Sequence, residues 1–330
     1  MVRRLWGWRF SKESTFALGE AMCPFLRFGE RIERYDYVLA PTNHRWSVGD
    51  EGETKHMIET LVAPEMAALK TRLKTVWESG DYGVFAKYME PGALEFFDRL
   101  GIEPGTKMLD IACGAGQLTI PAAKQGIQVT AIDLAENLVQ QAKERAKAEG
   151  LNIAIDQGDA EDLPYPDESF DVTLSLIGSM FAPRPEKVAA EKVRVTRPGG
   201  RIIMGNWTAE GHVGQMFKAI GKHVPPPAIF PSPLMWGNEE VVRERFGSGI
   251  ANLTVTKRMF PFRYPFSPAE VADLFIEYYG PTYMAYRSLD AEGQRAFKDD
   301  LTEVWDRNNF ASNGMTEVDA EYIEVVAIRA

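Results

Sequence analysis

Residues Leu109-Asp-Ile-Ala-Cys-Gly-Ala-Gly116 form a short apolar run that leads directly into a turn containing two glycines. The run Lys107–Ala112 predicts a buried strand, and residues 117–125 predict a helix whose Pro121 lies near the tolerant first turn. Glycines let a backbone approach a ligand closely, and a helix N-terminus offers unpaired N–H groups. The stretch therefore predicts a nucleotide-type ligand site at the start of an α/β sheet.

Strands and helices keep alternating after this turn. Six further strands are predicted at residues 128–132, 151–156, 170–176, 201–207, 253–260 and 322–328. Intervening helices at 135–149 and 185–196 imply βαβ units, and the turn 197–200 follows the second of them. The predicted fold is α/β, a doubly wound, mainly parallel seven-stranded sheet with helical lid insertions. Ligands of such sheets bind beyond the carboxyl ends of the strands, where the strand order reverses.

The domain organisation follows from changes in this pattern. Residues 1–55 lack sustained periodicity and are either a loosely attached extension or an aromatic segment that docks on the body. Residues 56–330 form one predicted domain. Its parts are N-terminal helices over 56–100, with Pro64 in a first helical turn, a ligand-binding core over 101–207, and sheet completion with covering helices over 208–330.

Composition excludes several classes of protein. A net charge of −10 over 330 residues argues against a nucleic-acid-binding protein, which needs a basic surface. Two distant cysteines, Cys23 and Cys113, predict neither a disulfide framework nor a metal site. No stretch has the length and apolar character of a membrane span, and no signal peptide is evident. We therefore expect a cytoplasmic protein without a metal, and a homodimer stays open.

Three acidic positions favour one nucleotide ligand over another. A nicotinamide site would carry a third glycine where this chain has Thr119. Asp110 precedes the turn and suits a ligand with ammonium and sulfonium charge, whereas a pyrophosphate would repel it. Asp133 ends the second strand, where a carboxylate can accept both ribose hydroxyls. Asp159 follows the third strand and can read an adenine edge, so S-adenosylmethionine (SAM) is favoured over a dinucleotide.

The same segments resemble the class I SAM-dependent methyltransferases. The similarity covers residues 107–207 and is greatest to small-molecule enzymes of the ubiquinone/menaquinone-biosynthesis type (methyltransferase type 11/25). The segments that carry it are Leu109–Gly116, Val129–Asp133, Gln157–Pro164, Ser169–Val172 and Arg197–Arg201. Their order and spacing are typical of the family.

The resemblance implies a role for each matching residue. The SAM contacts that it implies, with Tyr82 added as part of a lid, are Asp110, Ala112, Gly114, Gly116, Gln117, Asp133, Leu134, Asp159, Ala160, Ser175 and Tyr82. Ser175 would hold the ammonium group of SAM through its carbonyl. The implied reaction is in-line transfer of a methyl group to a small apolar or aromatic acceptor, with S-adenosylhomocysteine (SAH) as the product.

Catalytic groups are less clear from the sequence. A general base is expected only for an oxygen nucleophile, and His212, Tyr82 and Tyr279 are the candidates. Two alternatives stay open. One is a SAM-binding sensor or partner protein without transfer activity, and the other is an NAD-dependent oxidoreductase on a similar sheet.

Overall fold

The computed structural model describes residues 51–330, with side chains from Pro64 onward. Of the predicted extension, residues 1–55, the part from residue 1 to residue 50 lies outside the described residues. The helices are α1 (Glu51–Glu78), α2 (Tyr82–Ala86), α3 (Glu90–Arg99), α4 (Thr119–Lys124), α5 (Glu136–Ala148), α6 (Pro185–Val195), α7 (His212–His223), α8 (Glu239–Phe246), α9 (Pro268–Tyr278), α10 (Gly280–Arg287) and α11 (Ala291–Asn308). No helix over this range is long and apolar enough to cross a membrane.

One sheet of seven strands organises the chain. The strands are β1 (Lys107–Ile111), β2 (Gln128–Asp133), β3 (Ala154–Gln157), β4 (Phe170–Leu176), β5 (Thr196–Trp207), β6 (Ile250–Tyr264) and β7 (Thr316–Arg329), in the order 3-2-1-4-5-7-6. The first five are parallel, and β7 pairs antiparallel with β5 and β6. The order reverses between β1 and β4, so a ligand site is expected above the carboxyl ends of these two strands. The predicted fold class is confirmed.

Local capping explains where several helices begin. Asp81 accepts a hydrogen bond from the Val84 N–H at the start of α2, at 3.3 Å. The side chain of Asp290 does the same for the Gly293 N–H of α11, at 2.8 Å. Ser267 and Glu270 form a reciprocal capping box at the start of α9. Each of these side chains satisfies an N–H group that has no partner inside the helix.

The structure corrects several predicted boundaries. Helix α1 begins at Glu51, so Pro64 lies in its interior and not in a first turn. Strand β5 begins at Thr196 and absorbs residues 197–200, which interrupt the register with β4 instead of forming a separate turn. Helices α2 and α10 were not predicted, because each carries in its first turn a glycine that indicates a break in a helix, Gly83 and Gly280.

An aromatic core joins the sheet to the helices beyond β5. Strand β6 contributes Phe262 and Tyr264, whose rings stack 6.1 Å apart. Both rings pack edge-on against Trp305 of α11, at 5.6 Å. Phe275 of α9 lies 5.1 Å from the same indole ring. Phe262 and Tyr264 lie at the C-terminal end of β6, which runs in the same direction as β5. These buried contacts therefore place α9 and α11 over the carboxyl ends of the parallel strands.

Candidate functional site

A single cavity lies above the carboxyl ends of β1, β2, β3 and β4. The segments that follow these strands line it with Ala112, Cys113, Gly114, Asp133, Leu134, Gly158, Asp159, Ala160, Leu176, Ile177, Gly178 and Ser179. Side chains from α1, α2, α3, α7 and α9 close the other walls. The cavity therefore occupies the place that the strand order predicts for a ligand.

The glycine turn after β1 has an unusual backbone. Ala112, Gly114 and Gly116 have φ angles of 58°, 56° and 83°, in the left-handed region. Glycine adopts such angles freely, but alanine does so at a cost, and residues held in this way concentrate at functional sites. Gly178 after β4 packs directly on the turn, because a Cβ there would lie 2.5 Å from the Ala112 carbonyl oxygen. Two strand ends therefore meet tightly at one edge of the cavity.

Asp110, at the end of β1, is a buried carboxylate facing this cavity. The Thr119 hydroxyl donates to its Oδ2 atom at 2.6 Å. Burial raises the pKa of Asp110 to about 6, although the Thr119 hydrogen bond opposes the change. The charge of the fully buried Lys192 also opposes the rise in the pKa of Asp110. Burial lowers the pKa of the Lys192 ammonium group to about 7. Thr119, the position where a dinucleotide fingerprint needs glycine, thus serves to hold Asp110.

Asp133, at the end of β2, supports the glycine turn. Its Oδ2 atom accepts from the Gly114 N–H at 2.8 Å, and its Oδ1 atom accepts from the Ala135 N–H at 2.9 Å. Burial raises the pKa of Asp133, and these backbone hydrogen bonds oppose the rise. A carboxylate has about four acceptor sites, so two further donors can still be accepted from the cavity.

Asp159, after β3, belongs to a network of charged side chains. Its Oδ1 atom accepts from the Glu161 N–H at 2.9 Å, and its Oδ2 atom pairs with Lys70 of α1. Lys70 also pairs with Glu161, whose side chain is completely buried. Arg184 completes the network through its Nε atom, 2.6 Å from Glu161 Oε2. The buried Glu161 carboxylate is therefore neutralised from both sides.

Aromatic side chains form much of the remaining cavity wall, which we call the aromatic end. They are Trp77, Tyr82, Phe85, Phe181, Trp207, Phe260, Phe262, Phe275 and Tyr279, and Tyr82 extends to the glycine turn. Trp77 makes edge contacts with three of these rings at centroid distances of 5.0 to 6.1 Å. Burial raises the pKa values of Tyr82 and Tyr279, and the neighbouring Asp133 adds to the rise for Tyr82. Both phenols therefore stay protonated at neutral pH.

Most of the expected site residues lie around this one cavity. Those that line it are Asp110, Ala112, Gly114, Gln117, Asp133, Leu134, Asp159, Ala160, Tyr82 and Tyr279. They come from separate strand ends and from two covering segments, so the fold brings together positions far apart in sequence.

Three expected residues lie outside the cavity lining, namely Gly116, Ser175 and His212. Gly116 faces α5, where a Cβ would lie 3.4 Å from the Ala142 Cβ atom. Ser175 is buried inside β4, and its hydroxyl accepts from the Ser179 N–H at 3.0 Å. The lining begins one residue later, at Leu176, which is the last residue of β4. These two positions shape the turns without facing the cavity.

His212 is also placed elsewhere. Its ring lies 4.2 Å from Trp305, and neither ring nitrogen has a hydrogen-bond partner among the described residues. Burial lowers the pKa of His212 to about 4, so the imidazole is neutral. His223, which the helical spacing would place on the same face, instead contacts Asp300 at 2.5 Å. Neither histidine reaches the cavity, so the expectation of a histidine base is wrong on position.

Sequence reasoning missed Lys70 and Ser179 as cavity residues. Lys70 is 89 residues from its partner Asp159, and no local pattern signals such a pairing. Ser179 is buried, its Oγ atom has no partner within the described part of the chain, and only the exact end of β4 could have indicated it.

Comparison with known proteins adds to this geometry. Residues 109–204 match the sequence family described as methyltransferase domain. The uncharacterized protein Rv1405c of Mycobacterium tuberculosis is 34% identical over 257 residues, covering 77% of this chain and 94% of the relative. Methyltransferase GfsG of Streptomyces halstedii is 33% identical over 132 residues, 38% of this chain and 46% of the relative.

A solved structure supports the fold alone. The YcgJ protein of Bacillus subtilis aligns with a TM-score of 0.50 and 18% identity, covering 72% of this chain and 97% of the other. The family match and the similar relatives identify the family. The chain belongs to the class I methyltransferases and is an enzyme that uses SAM as its methyl donor.

Proposed function

We propose that the cofactor occupies the acidic end of the cavity and that a small apolar or aromatic molecule accepts the methyl group at the aromatic end. The observation that carries this proposal is that one cavity combines three carboxylates with a large aromatic wall. Asp110, Asp133 and Asp159 line it together with nine aromatic rings, of which Tyr82 lies beside Asp133 and the glycine turn. A cofactor that carries positive charge and ribose hydroxyls suits the carboxylates, because buried carboxylates need such partners.

Each residue at the acidic end has a proposed task. Asp110 balances the cationic part of SAM, since burial otherwise raises its pKa to about 6. Asp133 offers its remaining acceptor sites to the ribose hydroxyls. Asp159 accepts from the adenine amino group, with the Ala160 N–H and the Leu134 side chain beside the ring. The backbone of Ala112 and Gly114, together with Gln117 and Tyr82, bounds the methionine part.

The aromatic end is suited to orienting an acceptor and excluding water. When bound, the cofactor supplies an electrophilic methyl group on a sulfonium. Aromatic rings from α1, α2 and α9, with Tyr279 directly after α9, form this wall of the cavity. Trp77, Phe275 and Tyr279 can therefore hold a planar or apolar acceptor by contact alone. Positioning of this kind supplies up to ~7–11 kcal/mol of barrier reduction. We propose that these covering segments act as a lid.

No general base faces the acceptor among the described residues that line the aromatic end. Of the described residues grouped at this end, Tyr82 and Tyr279 are the titratable ones, and burial raises both pKa values. An acceptor held against these rings therefore loses its proton to bulk water, before it binds or after the product leaves. This favours thiols, acidic phenols, neutral amines and activated carbon atoms over alcohols.

The experiment begins with calorimetric titration of SAM, SAH and NAD, followed by SAH-release assays on thiophenols, phenols and arylamines. We expect binding of SAM and SAH, no binding of NAD, and turnover that depends on an aromatic acceptor. For two thiophenols of different acidity, the pH profile of kcat/KM should follow the pKa of each thiol. A profile fixed by the protein would contradict the absence of a base, and tight SAM binding without any turnover would instead favour a sensor.

A pair of variants separates the two halves of the cavity. Phe181→Ala removes a ring 5.0 Å from Trp77 and should raise the acceptor KM while leaving the Kd of SAM nearly unchanged. Phe310→Ala removes an exposed ring outside the cavity and serves as the control.

A further inference from the structure

Helix α1 crosses the acidic end of the cavity and makes a charged contact there. The Lys70 ammonium pairs with Asp159 Oδ2 and with Glu161 Oε2. Its side chain is 21% exposed and lines the cavity, as do Leu73 and Trp77 from the same helix. An ammonium group has three N–H donors, so one remains for a further acceptor.

The two carboxylates that Lys70 joins are unequal. Glu161 has a side chain with no exposure, and it also accepts from the Arg184 N–H and Nε–H, both at 2.6 Å. Asp159 is 29% exposed and has Lys70 as its single ion-pair partner within the described part of the chain. The Glu161 carboxylate is therefore anchored without Lys70, whereas Asp159 is held by the Glu161 N–H at Oδ1 and depends on Lys70 at Oδ2.

The other end of α1 is attached to the start of α5, which follows the end of β2 after two residues. Glu78 accepts from the Glu136 N–H through Oε1 at 3.2 Å and from the Asn137 side chain through its backbone carbonyl at 3.4 Å. Gly280 packs against the same end, because a Cβ there would lie 2.0 Å from the Val76 carbonyl oxygen. Residues 70–78 of α1 are thus held between the loop after β3, assigned above to adenine, and the start of α5, which directly follows the segment assigned to ribose.

We propose that Lys70 is a positioning residue that determines recognition of the cofactor's adenine. The inference rests on the proposed function, because it takes Asp159 as the acceptor of the adenine amino group. Lys70 holds Oδ2 of the Asp159 carboxylate while the Glu161 N–H holds Oδ1, and Lys70 also keeps α1 against the β3 loop. A purine with a 6-amino group then finds a preset acceptor, whereas a 6-oxo purine places an oxygen against the carboxylate and is rejected.

The test compares the adenine and hypoxanthine forms of the same ligand, SAH and S-inosylhomocysteine, by calorimetry. Lys70→Met keeps the side-chain length and removes the charge. Arg72→Met removes a charge from an exposed position of the same helix and is the matched control. Loss of one oriented hydrogen bond should raise the Kd of SAH about tenfold in Lys70→Met. It should leave S-inosylhomocysteine nearly unchanged, so discrimination between the ligands falls, whereas Arg72→Met should match the parent protein.

Two further variants keep the result interpretable. Lys70→Arg retains a cation that can bridge two carboxylates and should restore most of the discrimination. Asp159→Asn combined with Lys70→Met should bind SAH no more weakly than Asp159→Asn alone, because both changes remove the same interaction. Circular dichroism and thermal melting of each protein separate a folding defect from a binding defect.

The outcomes divide cleanly between the two proposals. An unchanged Kd ratio of the two ligands in folded Lys70→Met, or an equal weakening of both ligands, would overturn the role of Lys70 while SAM binding by the parent protein stands. Failure of the parent protein to bind SAM or SAH would instead overturn the proposed site.

Discussion

Removal of the Asp133 carboxylate provides the most direct test of the site, because this group has a structural role and a proposed ligand-binding role. It accepts from two buried backbone N–H groups, those of Gly114 and Ala135. In the proposed complex it also accepts from the two ribose hydroxyls. Asp133→Ala removes all four interactions, whereas Asp133→Asn keeps one acceptor oxygen and nearly the same volume.

The structure allows both effects to be sized. Leaving a buried N–H without an acceptor costs ~1–3 kcal/mol, so Asp133→Ala should lose about 2–4 kcal/mol of unfolding free energy after relief of the buried charge. Two hydrogen bonds to a charged acceptor contribute ~1.5 kcal/mol each, and their loss should raise the Kd of SAM about 100-fold. We expect Asp133→Asn to show roughly half of each effect in free energy.

The assay combines urea unfolding of the ligand-free protein with calorimetric titration of SAM. Asp156→Ala is the matched control, since Asp156 lies on neighbouring β3 and its carboxylate holds only an exposed contact with the Tyr165 hydroxyl, at 3.0 Å. This control should lose less than ~1 kcal/mol and keep its SAM affinity.

Three results would refute the reasoning. A ligand-free Asp133→Ala protein as stable as the parent would show that the Gly114 turn does not depend on the carboxylate. A normal Kd of SAM would place the ribose elsewhere. Equal effects of Asp133→Ala and Asp156→Ala would reduce the contribution of Asp133 to that of any acidic side chain at a strand end.

Two further predictions concern the neighbouring strand ends. Because the pKa of Asp110 is raised to about 6, its carboxyl group is neutral in more acidic buffer and must release a proton when a cation binds. The Kd of SAM should therefore be constant above pH 7 and should rise up to about tenfold per pH unit below pH 6. Asp110→Asn should lose this pH dependence, and a flat profile in the parent protein would contradict the role of Asp110. Gly178→Ala places a Cβ 2.5 Å from the Ala112 carbonyl oxygen and should cost ~1–3 kcal/mol by overpacking, whereas Gly221→Ala, with nothing within 4 Å, should be neutral or stabilising in a thermal melt. Equal melting temperatures for these two variants would show that the strand ends are not tightly packed.

Local signals were sufficient for the core of the fold. The apolar run 107–111, the glycines after it and the alternation of strands with helices predicted the parallel sheet, because strand and helix periods are visible within ten to fifteen residues. Asp110 and Asp133 could be assigned to the cavity for the same reason, since the carboxyl ends of parallel strands form the ligand edge, and these residues are the penultimate of β1 and the last of β2. Helices α2 and α10 were missed because each has a glycine in its first turn, where the sequence indicates a break.

Positions that depend on packing could not be assigned in this way. His212 had the chemistry of a base and a plausible helical position, but the ring packs on Trp305, 93 residues later, and its pKa falls to about 4. Ser175 and Ser179 are four residues apart, and only the point at which β4 ends decides which of them reaches the cavity.

The sequence by itself determined the family, the sheet and the three acidic residues that line the cavity, because these follow from motifs in which every member lies close along the chain. Only the tertiary structure decided what covers that site. Lys70 pairs with Asp159, 89 residues away in sequence, and Trp77 packs edge-on against Tyr279. Both contacts depend on how the helices pack, which no local periodicity encodes. A periodic pattern specifies which face of a helix is buried, but the partner on which it is buried depends on contacts along the whole chain.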